Sequence, residues 1–123
     1  MDVDMLVLKD ISKLWKTNLQ NRMVAGVVDR IKVVSCIWGG IPNYKEFEIP
    51  PQTKYFNSGL LLIDTFKWRD LHIAERVMQC VSRNKKYASF LDQYGLNVIF
   101  ANQWFELDPR WNTYAIFFKK NLL

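Results

Sequence analysis

Residues 55–64, YFNSGLLLID, decide how the rest of the chain is read. Three small or polar residues, Asn57, Ser58 and Gly59, stand directly before the apolar run 60–63, and an acid, Asp64, closes it. A continuous apolar run with no polar alternation fits a strand buried on both faces, the kind found inside a sheet covered by helices. The polar triplet reads as a turn leading into that strand.

Downstream of it, Leu71, Ala74, Val77, Met78 and Val81 recur at helical spacing with Asp64 or Thr65 as cap, predicting a helix of about five turns on the sheet. DQYGLNVIFANQ (92–103) predicts a second helix, with Leu96, Ile99 and Phe100 inward and Asp92 near its N-terminus, where a carboxylate complements the helix dipole. WFELDPRWN (104–112) reads as a short strand stopped by Pro109. Upstream, VAGVVD (24–29) is a compact apolar strand ending on Asp29, and MLVLKD (5–10) a short buried strand ending on Asp10. DISKLW (10–15) then forms a helical turn capped by Asp10, with Ile11, Leu14 and Trp15 on one face. The stretch from Ile31 to Lys54 is rich in Gly and Pro in its second half and reads there as a loop. Strands alternating with helices predict an α/β layered domain with a partly parallel sheet.

Composition narrows the function classes. The chain has 123 residues, half of them apolar, enough for one domain with its own core. Its net charge of +5 comes from 17 basic and 12 acidic residues spread along the sequence rather than gathered into a stripe, so no nucleic-acid partner is expected. Apolar runs fall far short of the ~20 residues of a membrane helix, which predicts a cytoplasmic protein with peripheral membrane association as its only route to a bilayer. Cys36 and Cys80 have no ligand-spaced partners and read as buried thiols. His72, the single histidine, has only Arg76 at i+4 and reads as structural or solvent-facing. No Ser-His-Asp set, Cys-His pair or Gly-rich phosphate loop can be assembled.

Asp2 and Asp4 are the candidate metal ligands. In an extended segment, i and i+2 place both carboxylates on one face about 7 Å apart. That pair suits a hard divalent cation such as Mn²⁺ or Mg²⁺ shared with nucleotide phosphate oxygens. Taken alone, each candidate also has a plainer reading. Asp2 and Asp4 can be acids on a solvated turn, Asn57-Ser58-Gly59 a simple turn, Asp92 and Gln93 helix-capping residues, and Asp29 a loop acid.

Taken in order, DVD, GVVD, YFNSGLLLIDTFKWR, DQYGLN and LDPRWN resemble the catalytic domain of family-eight glycosyltransferases, retaining enzymes related to lipopolysaccharide galactosyl- and glucosyltransferases and to glycogenin. The resemblance runs from Asp2 to about Asn112. It implies a GT-A fold, a three-layer α/β/α sandwich with a mixed, mostly parallel sheet. It also implies a UDP-glucose or UDP-galactose donor, Mn²⁺ or Mg²⁺, and a glycan or lipid-linked saccharide acceptor. On this resemblance Asp2 and Asp4 are the D-x-D metal ligands, with Asp2 also at the donor. Asn57, Ser58 and Gly59 match N-[AS]-G at the donor sugar, Asp92 the acid that orients sugar hydroxyls, and Gln93 the residue on the face opposite the leaving group. Asp29 falls where an acceptor- or donor-contacting acid stands.

The departures carry expectations of their own. Tyr94 replaces the last residue of the usual D-Q-D. The strand and loops that grip the base precede the D-x-D in this family, and an H-x-x-G-x-K-P-W-type segment with a metal-binding His comes after it; neither is found in residues 1–123. The chain is therefore expected to be a single partial catalytic domain, weak in metal binding, with little or no transferase activity alone. A missing strand would leave an exposed edge through which copies associate. The competing expectation is a non-catalytic remnant acting as a carbohydrate-binding or interaction module.

Overall fold

The computed structural model describes residues 1–114. Strand β1 (Val24–Val33) pairs antiparallel with β2 (Lys54–Ile63), and β3 (Phe105–Glu106) pairs parallel with the other side of β1. The result is the expected α/β architecture around a three-stranded mixed sheet in the order β2-β1-β3, its long pairing antiparallel and its short one parallel.

Both faces of this sheet are covered, which explains the apolar runs without alternation. On one face Val24 and Phe56 join Ile73, Val77, Leu96 and Phe100. On the other, Ala25, Val27 and Leu60 join Leu14 and Leu107. A third cluster, around Tyr55 and Tyr94, lies under the long connection between β1 and β2 and takes in Val34, Ile41 and Ile49 from it.

Three short-range expectations change in the structure. The single long helix is two, α2 (Thr65–Asp70) and α3 (Ile73–Arg83), with α2 capped by Asp64, which accepts from the Lys67 N–H at 3.0 Å. His72 between them has φ 51°, a left-handed conformation that cannot continue a right-handed helix. The break shifts the helical phase between α2 and α3: Ile73 and Val77 are buried, while Leu71, Ala74 and Met78 face solvent. Residues 5–10 do not form a strand: they pair with none of β1, β2 and β3, and Leu6 and Leu8 are exposed while Met5 alone packs on the Leu14 cluster. In α1 (Ser12–Trp15), Asp10 does accept from the Ser12 N–H at 2.8 Å, yet only Leu14 is buried, since one helical turn cannot press three residues onto one layer.

Helix α4 (Leu91–Ile99) lies against α3 through Gly95. A Cβ there would come within 3.0 Å of both Val77 Cγ1 and Val81 Cγ2, so the helices approach as closely as a residue without a side chain allows. Cys36 and Cys80 are half-buried and unpaired, and burial pushes the Cys80 thiol up. Among the described residues no helix is long and apolar enough to cross a membrane.

Candidate functional site

The triplet read as a turn is inside β2. Pairing runs Ala25↔Leu62 and then Val27↔Asn57, so Gly26 alone stands opposite residues 58–61. The strand bulges at Ser58-Gly59, and a bulge turns side chains out of the regular alternation. The sequence signal was correct in marking an irregularity and incorrect in placing it before the strand.

Asn57 is the hub of what the bulge presents. Its Nδ2 donates to Asp29 Oδ2 at 2.8 Å and to the Tyr114 hydroxyl at 3.2 Å. Its Oδ1 accepts from the Gly59 N–H at 2.7 Å and from Asn112 Nδ2 at 2.9 Å, so all its hydrogen-bonding capacity is used. Asp29, inside β1 rather than in a loop, is 7% exposed. Its carboxylate also accepts from the Ile31 N–H at 3.0 Å and from Gln93 Nε2 at 3.3 Å. Several donors around one buried carboxylate offset its loss of water.

Gln93 faces the bulge from α4. Its Oε1 accepts from both the Ser58 N–H, at 2.9 Å, and the Ser58 hydroxyl, at 3.2 Å. One turn on, Asn97 ties the helix to β2: its side chain accepts from the Phe56 N–H at 2.8 Å and donates to the Phe56 carbonyl and to the Gln93 carbonyl, each at 2.9 Å. Gln93 is thus held by side chain and backbone on two rigid elements.

Asp2 reaches the same place from the N-terminal segment. Its N–H donates to the Gly59 carbonyl at 2.7 Å, and a Cβ on Gly59 would lie 3.0 Å from Asp2 Oδ2 and 2.8 Å from Asn57 Oδ1. Only glycine leaves room for this approach. Beside this contact lies an open cavity of about 280 Å³, lined by Asp2 and Ser58 and by residues 89–93, Asp92 and Gln93 among them. Leu91 has φ 35°, so strained backbone sits at the cavity wall where α4 begins.

Asp4 does not share this arrangement. Residues 3–4 form a turn, not an extended segment, so the two carboxylates do not line up along a strand; Asp4 is exposed and does not line the cavity. The cause is the lost strand: without ladder partners nothing holds residues 1–8 extended. Asp2 and Asp4 supply oxygen donors of the right chemistry for a hard cation, but among the described residues no cluster of three acids, histidines or cysteines is placed to hold a metal. His72 lies at the α2–α3 break, on the chain far from Asp2.

Three residues at the site were not singled out from sequence. Asn112 closes the LDPRWN stretch, and Asn97 and Tyr114 carry no local signal, because each acts through a partner distant in the chain. Burial pushes the pKa of the Tyr114 hydroxyl up, and the nearby Asp29 charge adds to the shift.

The fold matches that of the galactosyltransferase LgtC, solved with donor and acceptor sugar analogues, at a TM-score of 0.69 and 27% identity, over 85% of this chain and 36% of that one. LgtC has the GT-A fold, and the present chain is a partial domain of that type. Among curated proteins, general stress protein A of Bacillus subtilis is 39% identical over 114 residues, covering 91% of this chain and 37% of that protein. The glycosyltransferase GlyA of Streptococcus pneumoniae is 26% identical over 116 residues, 94% of this chain and 14% of that protein. The chain thus spans well under half the length of these relatives. The family model described as glycosyl transferase family 8 matches residues 1–122, and the chain belongs to that family.

Proposed function

We propose that this chain carries the sugar-facing part of a retaining hexosyltransferase site, which takes a hexose from UDP-glucose or UDP-galactose to a glycan or lipopolysaccharide-type acceptor. The observation that supports this most is the convergence of Asp2, Ser58, Asp92 and Gln93 on one cavity, with Gln93 locked by Ser58 and Asp29. Asp92, exposed at the start of α4, is free to accept hydrogen bonds from sugar hydroxyls. Asn57, Ser58 and Gly59 shape the floor beneath the sugar, and Asp29, under Asn57, sets the polarity of the adjoining wall.

A carboxamide is a poor nucleophile, and both Gln93 Oε1 contacts here are already donors from Ser58. Its role in this reading is electrostatic: the amide dipole, fixed before the sugar arrives, stabilises the oxocarbenium-like charge as the acceptor hydroxyl attacks from the side the diphosphate leaves. Of the pair, only Asp2 lines the cavity and would offer a ligand there to a Mn²⁺ or Mg²⁺ ion, which would supply charge neutralisation at the departing diphosphate.

Calorimetry with UDP, with and without Mn²⁺, tests the reading. Metal-dependent binding that weakens at least about tenfold in Asp2→Asn is the expected result, that variant removing one charged ligand. No UDP binding together with retained binding of oligosaccharides would instead select the non-catalytic carbohydrate-binding module.

A further inference from the structure

A second cavity lies at the other end of α4. The first opens where the helix begins, at residues 89–93. The second, of about 430 Å³, opens where the helix ends and is walled by residues 47–50, by Arg76 on α3, and by residues 98–99 and 101–103. Roughly 13 Å of helix separates the two openings. The volume of the second lies within the range of about 300–1,000 Å³ usual for small-ligand sites.

Its walls carry opposite charges that do not meet. Arg76 and Glu48 both line the cavity, yet the ion pairs among the described residues are Lys54–Glu106, Lys67–Asp64 and Arg110–Asp108, and neither residue enters one. Asn102 is tethered through Nδ2, which donates to Thr53 Oγ1 at 3.3 Å. Among the described residues its Oδ1 accepts no hydrogen bond, and the Gln103 carboxamide makes none. Glu48 follows the 3₁₀ turn Tyr44–Phe47 with φ 54°, its N–H donating to the Lys45 carbonyl at 3.1 Å. Glycine makes such a turn without the Cβ clash, so the turn itself does not call for a carboxylate. Half-buried Phe47 adds an aromatic ring to the same wall.

These groups suit one chemical class. A guanidinium takes a carboxylate through two parallel N–H···O bonds. The Glu48 carboxylate accepts from hydroxyls, and the two carboxamides both donate and accept. An aromatic ring, negative on its face, meets the polarised C–H side of a pyranose. A neutral sugar would leave Arg76 unmatched, and a small inorganic or organic anion would use Arg76 alone while Glu48 repelled it.

We propose that this cavity is a second saccharide site, separate from the sugar-transfer cavity, and that it holds a uronic-acid unit of a glycan. Arg76 takes the carboxylate, Glu48, Asn102 and Gln103 take the ring hydroxyls, and Phe47 lies against the ring. The proposal does not depend on what the first cavity binds.

Trigalacturonic acid, its fully methyl-esterified form and citrate are the probes, titrated into the 123-residue chain with calorimetry and backbone-amide NMR as readouts. Trigalacturonic acid should move the amides of residues 47–49 and 98–103 and leave those of 89–93 in place. Esterification removes the charge and keeps the ring, and it should weaken binding at least about tenfold, the size of one charged hydrogen bond. Arg76→Gln should do the same. Glu48→Gly should weaken binding about threefold while the midpoint of thermal unfolding holds or rises, which separates loss of the ligand from loss of the fold. Amides at 47–49 and 98–103 that do not move, an ester bound as tightly as the acid, or citrate moving the same amides at equal concentration each overturns the proposal. Undiminished binding in Arg76→Gln or in Glu48→Gly overturns it as well. A failure of UDP to bind concerns the other end of α4 and leaves these outcomes as they stand.

Discussion

Asn57 shows how much one residue type does when its geometry is complete. Four partners, Asp29, Tyr114, Gly59 and Asn112, meet its single amide, and no other uncharged side chain offers two donors and an acceptor on so short a stem. Asn57→Ala should lower stability by about 1–3 kcal/mol, the cost of leaving buried partners unpaired, read as a shift in the denaturant midpoint. The loss should be local to the bulge, with amide exchange quickening at Gly59 and Ile31 before it does in α3. Asn57, Ser58, Gly59, Asp92 and Gln93 were marked only by the family resemblance of their short motifs, each of which taken alone reads as a turn or a cap. Asn97 was not, because nothing adjacent in sequence reveals that its amide bridges to Phe56.

At the scale of elements, the strained link and the tight packing make opposite predictions. His72 carries a left-handed φ of 51° between α2 and α3. Glycine adopts that conformation without the Cβ clash, so His72→Gly should raise stability by about 1 kcal/mol, seen as a higher midpoint of thermal unfolding. Gly95 is the reverse case. Gly95→Val drives methyl groups into Val77 and Val81, and overpacking of this kind should cost about 1–3 kcal/mol, with the loss of α3–α4 helicity visible by circular dichroism. Helical periodicity located both helices but not the break between α2 and α3, since the apolar spacing runs through residues 71–81 while the backbone does not. Equally, MLVLKD has strand composition and no strand, because a strand exists only where a neighbour completes its ladder.

For the whole molecule, the buried tyrosines set the response to alkali. Burial lifts the Tyr94 hydroxyl from its ordinary 10.0 to about 12, and burial raises Tyr55 further. The folded chain therefore holds these protons more tightly than the unfolded chain, and the stability linked to them is intact below pH 10 and falls as pH rises toward 12. Denaturant midpoints measured across that interval should decline, with phenolate absorbance rising together with unfolding. A flat profile would show that the two hydroxyls ionise inside the fold. Tyr94→Phe should flatten part of the decline while costing the bond to Asn43 at lower pH.

Sequence by itself determined the α/β class, the two principal strands and the places of α3 and α4, because each is written in local periodicity or in contiguous residues. Only the tertiary structure decided that the N-S-G motif is a bulge within β2, that Asp29 is a buried strand residue, and that Asp4 turns away while Asp2 meets Gly59. It also decided that Gln93 is held by Ser58 and Asp29. Strand register and side-chain networks depend on which distant segments become neighbours, and that choice is made by burial over the whole sheet rather than by any stretch of residues within it.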